Sequence, residues 1–165
     1  MGARAIDQNP NAIRAKIAAL HENLRVTVGI QGPQVGQADS RGTTIGDLAA
    51  IHEFGDSRGR IPVRSWLRGW FDARQAATLA AIRKGYEQVL AGKITVRQLA
   101  DAIGVRAVAE IQTRWVQRGT FVENAPSTIA RKGSSMPLID TGVLRAAVTF
   151  VVHPSAGKPS GGVSG

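Results

Sequence analysis

The sequence predicts an α+β domain, and three observations predict it. In "LRVTVGI", Leu24, Val26, Val28 and Ile30 alternate with polar residues or glycine, the period of a half-buried strand. Near the other end, "AAVTFVV" is apolar and β-branched, which suits a second strand. Between them lie two long stretches whose apolar residues recur every three or four positions. The order helix, strand, helices, strand does not alternate, so the class is α+β rather than α/β.

The elements follow in order. Asn11 to Asn23 reads as a short helix, with Ile13, Ile17 and Leu20 on one side and Pro10 suited to a first turn. After the first strand, Gln31 to Thr44 keeps no apolar period and reads as a long exposed loop. Thr44 is placed to cap a helix, "IGDLAAIHEF", with Asp47 three residues on and Gly55 as its stop. "GDSRGRIP" is a second mobile segment. Ser65 to Leu90 is the strongest helical stretch, with Trp66, Leu67, Trp70, Phe71, Ala77, Ala81, Ile82, Val89 and Leu90 near one face. Gly92 ends it. Thr95 and Gln98 then form a capping box that opens a helix carrying Val96, Leu99, Ile103, Ala107, Ile111 and Trp115. That helix ends near Gly119. Thr120 to Gly133 is a loop with one helical turn after Ser127. Residues 1–153 make a single domain, and residues 154–165 form a flexible Pro/Gly/Ser tail.

Composition narrows the function. The 165 residues suit one modest core, and only 5% are aromatic, so Ala, Val, Ile and Leu must fill most of it. Cysteine is absent, which excludes disulfides, thiol catalysis and cysteine metal sites. The net charge of +9 points to a polyanion or an acidic protein surface as a partner. The basic residues are spread along the chain rather than blocked, which favours a solvated surface over a dedicated nucleic-acid groove. No apolar run approaches the roughly 20 residues of a membrane span. The first residues lack a signal-peptide core and a myristoylation pattern, so a soluble cytoplasmic product with no membrane partner is expected.

Asp140-Thr141-Gly142 is the tripeptide of aspartic proteases. Such an enzyme needs two carboxylates sharing one proton, hence a dimer of a chain this short, on an all-β scaffold. Two long helices precede this motif, and Arg145 nearby would hold Asp140 ionised. A local role fits better. Asp140 or Thr141 accepts from free N–H groups at a helical turn, Gly142 permits the turn, and Ile139, Val143 and Leu144 face the core. His52-Glu53 lacks the second histidine of a zincin. His21, His52 and His153 lie far apart in sequence. Gly29, Gly32 and Gly36 match neither phosphate-loop nor dinucleotide patterns. Ser127 has no histidine beside it in sequence. These readings leave no enzyme, no metal and no cofactor.

Five short motifs occur in a fixed order: His-Glu-Phe-Gly within Ile51–Gly55, Ile-Pro-x-Arg at Ile61–Arg64, Pro-Ser-Thr at Pro126–Thr128, Lys132–Gly133, and Pro-Leu-x-Asp-Thr-Gly-x-Leu at Pro137–Leu144. With "VTVGI" and the helix pair between them, they cover about two-thirds of the chain. This set resembles the phage virion morphogenesis and tail-completion proteins, including the Mu-type and related neck or head–tail joining components of long-tailed phages. The resemblance implies a small antiparallel sheet packed against two long helices, with long extended loops. It also implies a homo-oligomeric ring, usually six-fold, that contacts a tail terminator or a head-side connector. Such a protein is assembled in the host cytoplasm, resides in the virion neck or tail, and performs no catalysis.

Site expectations follow from the residues and the resemblance together. Gln34, Val35, Gln37 and Arg41 in the first loop, and Arg58 and Arg60 in the second, are expected at subunit or partner interfaces, the alternative being plain solvated loops. Trp66 and Trp70 are core or interface anchors. Arg58, Arg60, Arg64 and Arg68, then Arg131 and Lys132, are the residues expected to meet phosphates of packaged DNA non-specifically, the alternative being a solvated face or salt bridges to neighbouring acidic subunits. Glu53 and Gly55, like Asp140, Thr141 and Gly142, are expected to hold turns, with Arg64 as a partner for Glu53 and Phe54 in the core. A basic nucleic-acid-binding module is the alternative function.

Overall fold

The structure, a computed structural model, describes residues 24–38, 42–132 and 142–154, with residues 9–11, 14 and 18 ahead of them; the side chains of residues 131 and 132 are outside the description. It is an α+β fold. Strand β1 (Leu24–Ile30) pairs antiparallel with β2 (Val148–Pro154), from Leu24 opposite Pro154 to Ile30 opposite Val148. Between them come a 3₁₀ helix (Gly32–Gly36), α1 (Ile45–Phe54), α2 (Arg68–Leu90), α3 (Val96–Val116), α4 (Pro126–Lys132) and the single turn α5 (Val143–Ala146).

Strand alternation puts the cross-strand pairs Val26–Val152 and Val28–Phe150 on one face of the sheet, and Arg25–His153 and Thr27–Val151 on the other. Helix α3 lies across both strands on the Val28–Phe150 face. Its inward stripe is Val96, Leu99, Ala100, Gly104, Ala107, Ile111 and Trp115, at helical spacing. Gly104 lets the helix approach the sheet, because a Cβ there would overlap the Phe150 ring. Gly85 in α2 does the same against Leu99 of α3. The main core joins Ile45, Ala49, Trp66, Trp70, Ile111, Trp115 and Leu144. Trp66 and Trp115 meet edge to face, with centroids 5.3 Å apart. A smaller cluster of Val89, Val96 and Leu99 closes the far end of the α2–α3 pair.

The caps follow the sequence. Thr44 Oγ1 accepts from the Asp47 N–H at 3.0 Å, and Gly55 ends α1 at a φ of 80°. Gln98 N–H donates to Thr95 Oγ1 at 3.1 Å, and Thr95 N–H donates to Gln98 Oε1 at 2.8 Å, closing the capping box. Thr95→Ala should remove one of these bonds and lower stability by about 1 kcal/mol, or roughly 3 °C in the thermal midpoint, checked by thermal denaturation.

Several expectations change. Helix α2 begins at Arg68, not Ser65, because Ser65 through Leu67 form the bend that seats α2 on α1. Its apolar residues do not all face inward: Trp70 and Val89 are buried, whereas Phe71, Leu79 and Leu90 are exposed. The 31–44 loop is partly ordered locally. Pro33 starts the 3₁₀ turn, Ala38 bridges to Thr44, and the Ile45 N–H donates to Gln37 O at 2.8 Å. Bonds of that short range need no apolar period, so periodicity could not reveal them. Helix α4 is longer than the single turn expected. Strand β2 reaches Pro154, the position expected to open the tail. Leu144 is buried but Val143 is exposed, since a lone turn can turn only one of two adjacent residues inward. Of the expected N-terminal helix, Pro10, Asn11, Arg14 and Ala18 are described and helical.

Candidate functional site

The inward stripe of α1 is Ile45, Ala49 and Glu53, one turn apart. The last of these is a carboxylate, and the start of α2 meets it. Ser65 Oγ donates to Glu53 Oε1 at 2.7 Å. The Leu67 N–H donates to Oε2 at 2.9 Å, and the Arg68 N–H to Oε1 at 3.1 Å. A helix start leaves several N–H groups without intrahelical partners and carries partial positive charge, so a buried anion satisfies it. Ser65 Oγ also accepts from the Gly69 N–H at 3.2 Å, and Trp66 Nε1 donates to Ala49 O at 3.1 Å. One carboxylate on α1 therefore caps α2.

This arrangement corrects two expectations. Phe54 is not a core residue: it follows the inward position by one residue, about 100° round the helix, and is 64% exposed. Arg64 is not the partner of Glu53. Its Nε donates to Val122 O at 2.9 Å, and its Nη2 to Glu123 O at 3.3 Å and Asn124 Oδ1 at 3.2 Å. Arg64 is only 5% exposed, and burial lowers its pKa. It ties the 122–124 segment to the end of α1, where its N–H donates to His52 O at 2.8 Å, so it is not a surface group for DNA.

The second expected arm is a closed turn. Asp56 Oδ1 accepts from the Ile61 N–H at 2.7 Å, and the Gly59 N–H donates to Asp56 O at 3.0 Å. Arg60 Nε pairs with Asp56 Oδ2 at 3.2 Å while its side chain stays 69% exposed. The Ile61 N–H, ahead of Arg60, holds the Asp56 carboxyl below its usual pKa. Arg58 is exposed on the same turn. Arg68 is exposed at the start of α2, with its guanidinium 5.7 Å from the centre of the Phe54 ring. Of the first arginine cluster, Arg58, Arg60 and Arg68 are thus exposed and Arg64 is not.

Trp66 and Trp70 are both buried within the chain, which removes them as exposed interface anchors. Trp70 Nε1 donates to Glu110 Oε2 at 3.1 Å, and Arg106 Nε donates to Glu110 Oε1 at 2.8 Å, with Arg74 at 3.5 Å. The Arg106–Glu110 spacing of four residues was a readable signal for this group that the sequence reading passed over. Burial raises the Glu110 pKa, but the bonds from Arg106 and Trp70 and the charges of Arg106 and Arg74 outweigh it, so the pKa falls below 4.5. A depressed carboxylate stabilises the fold above its unfolded pKa and loses that contribution as pH falls through the folded value. Acid titration downward from about pH 5 should therefore cost the natural chain more stability than a Glu110→Gln variant, read by urea denaturation at each pH.

Of the remaining candidates, Gln34 is half-buried and Val35 and Gln37 are exposed. Val35 leans on the first turn of α1, where a Cβ at Gly46 would strike it. Gly142 takes a left-handed φ of 74° and its carbonyl accepts from the Ala146 N–H, which opens α5. Arg41, Asp140 and Thr141 lie outside the described residues, and of Arg131 and Lys132 only the backbone, in α4, is described. The sequence reading also missed an apolar groove of about 650 Å³ between β1, α2 and α3, with Phe54, Arg68 and Phe71 among its lining residues. Among the described residues, no helix is long and apolar enough to cross a membrane. Comparison with protein-family models, curated proteins and solved structures finds no match to this chain.

Proposed function

We propose that the chain is a structural virion protein of a long-tailed phage, a tail-completion or neck component that closes as a ring at the head–tail junction. The ordered motif set carries this reading, together with what its polar residues do. Glu53 is used to cap α2, and Arg64 is used to tie down the 122–124 carbonyls. Groups committed to internal bonds support a frame for assembly rather than a catalytic centre. Phe54, Arg58, Arg60 and Arg68 are among the residues exposed after α1 and at the start of α2, with Arg60 paired to Asp56. A closed ring requires two different faces on each subunit, and cations along its lumen would meet phosphates without reading bases. A tail terminator and a head-side connector are the partners of this reading, with no membrane and no cofactor.

The test is electron microscopy of lysates from a parent phage lacking this gene. Separate filled heads and free tails, joined on adding the purified chain, are the expected result. Normal infectious particles from the deletion would sink the reading. The charge of +9 favours a second reading, a basic nucleic-acid-binding module. It predicts DNA binding by the isolated chain that weakens steeply with salt.

A further inference from the structure

A second cleft, of about 380 Å³, lies between α2 and α3. Three arginines line it, Arg74 from α2 and Arg106 and Arg114 from α3, around the one carboxylate of Glu110. Arg106, Glu110 and Arg114 are four residues apart, so they share one side of α3. Glu110 takes the bonds from Arg106 and Trp70 and the longer contact from Arg74. Arg114 is left over. Among the described residues it pairs with no carboxylate, and its Nε is buried and donates to nothing. A buried donor without an acceptor is unfavourable. The guanidinium sits 5.7 Å from the centre of the Phe121 ring and against the first turn of α2, where a Cβ at Gly69 would come within 3.1 Å of Arg114 Nη2. That end of a helix carries partial positive charge, so the cation there gains from an added anion.

We propose that this cleft receives an acidic side chain, an Asp or Glu presented by a partner protein, with Arg114 as its main donor and Arg74 beside it. The charge count asks for such a ligand: three arginines against one glutamate leave the cleft two positive charges in excess. Glu110 shows that the cleft suits a carboxylate, since Arg106 and Trp70 already hold one there at 2.8 and 3.1 Å. A guanidinium matches a second planar carboxylate with paired N–H donors. Ala73 and Ala109 keep the walls low, which leaves space for the methylene stem of a Glu. Duplex DNA fits less well. It brings one charge per about 1.7 Å of its axis and would press several phosphates towards the Glu110 carboxylate. A single acidic side chain enters between the helices and meets the excess cations alone. The inference is independent of the phage reading, because the cleft sets the chemistry of the contact and not the assembly in which it is made.

The test is a titration of the ¹⁵N-labelled full chain with a hexapeptide of glutamate, followed by NMR. Because Arg114 Nε is buried, its N–H is shielded from solvent and serves as the reporter. The expected result is a saturable shift of that signal, together with the backbone amides of residues 109–117. Arg114→Gln should weaken the peptide about tenfold or more, the size of one lost charge-assisted pair. Arg83→Gln removes the same charge from an exposed position outside the cleft lining, and should change affinity less than twofold. Equal weakening by the two variants would reduce the effect to overall charge and overturn the proposal. So would saturation without a shift at Arg114, or no binding at all. A short DNA duplex that moves the same signals more tightly than the peptide, and loses that affinity in Arg114→Gln, also overturns it and assigns the cleft to nucleic acid. Should Arg114→Gln fail to fold by circular dichroism, Ala109→Glu decides. Ala109 is exposed in the cleft, and the new carboxylate should compete with the peptide and weaken it several-fold. Unchanged affinity in that variant overturns the proposal.

Discussion

Glu53→Ala is expected to lower the unfolding free energy by about 3–4 kcal/mol, since it deletes a buried acceptor of three hydrogen bonds and leaves two backbone donors stranded. Each charge-assisted bond contributes about 1.5–3 kcal/mol, and the lost side chain also leaves a gap under the α2 start. For a domain of this size the thermal midpoint should fall by roughly 10 °C. Glu53→Gln should lose about half as much, because its amide oxygen still accepts while its NH₂ group faces another donor. Urea denaturation of the three proteins orders them. A Glu53→Ala loss below about 1 kcal/mol would mean that water replaces the carboxylate, and the cap would then have little energetic role.

The second large effect is expected at the helix–sheet contact. Gly104→Ala would normally stabilise a helix by about 1 kcal/mol. Here the added methyl overlaps the Phe150 ring, whose backbone is fixed in β2 by pairing with Val28. Overpacking typically costs about 1–3 kcal/mol and occasionally more, so the balance should be a loss of about 2 kcal/mol. Gly104→Val should lose more, since β-branching is also unfavourable in a helix. A second-site change separates this contact from a general helix defect. Phe150→Leu makes room, so the Gly104→Ala loss should shrink by at least half in that background. An equal loss in both backgrounds would show that the ring is not what the methyl meets.

The parts of this fold that could be read from the sequence depend on near neighbours. The Thr95–Gln98 box and the Thr44 cap join residues three apart, and Gly55 closes its helix within one turn. The α3 stripe is legible because the helix is buried along one side for its full length. Helix α2 is not, because only part of it touches the core, and Phe71 and Leu90 keep an inward-looking spacing without an inward surface. The site fails at longer range. Arg64 meets partners 58 to 60 residues away, and no spacing announces that a guanidinium will leave the surface to hold carbonyls. Glu53 was legible as a group that holds a turn, but its donors are the backbone N–H groups of Leu67 and Arg68, which every sequence contains. The Phe54 error is one of phase: the inward position at the end of α1 falls on an acid, and hydrophobicity alone favours the neighbouring phenylalanine.

The pairing of β1 with β2 has a consequence for biosynthesis. Thr27 and Val151, opposite each other in the sheet, are 124 residues apart in the chain. At roughly 5–20 residues per second, a ribosome needs on the order of 6–25 s between making the first strand and the second. Throughout that interval β1 lacks its partner strand, and Gly104, once made, has no Phe150 against it until the interval closes. Completion of the domain therefore waits for the last strand to leave the exit tunnel. Nascent chains stalled before Val148 should consequently be captured by chaperones or digested by protease, and those released after Pro154 should resist both.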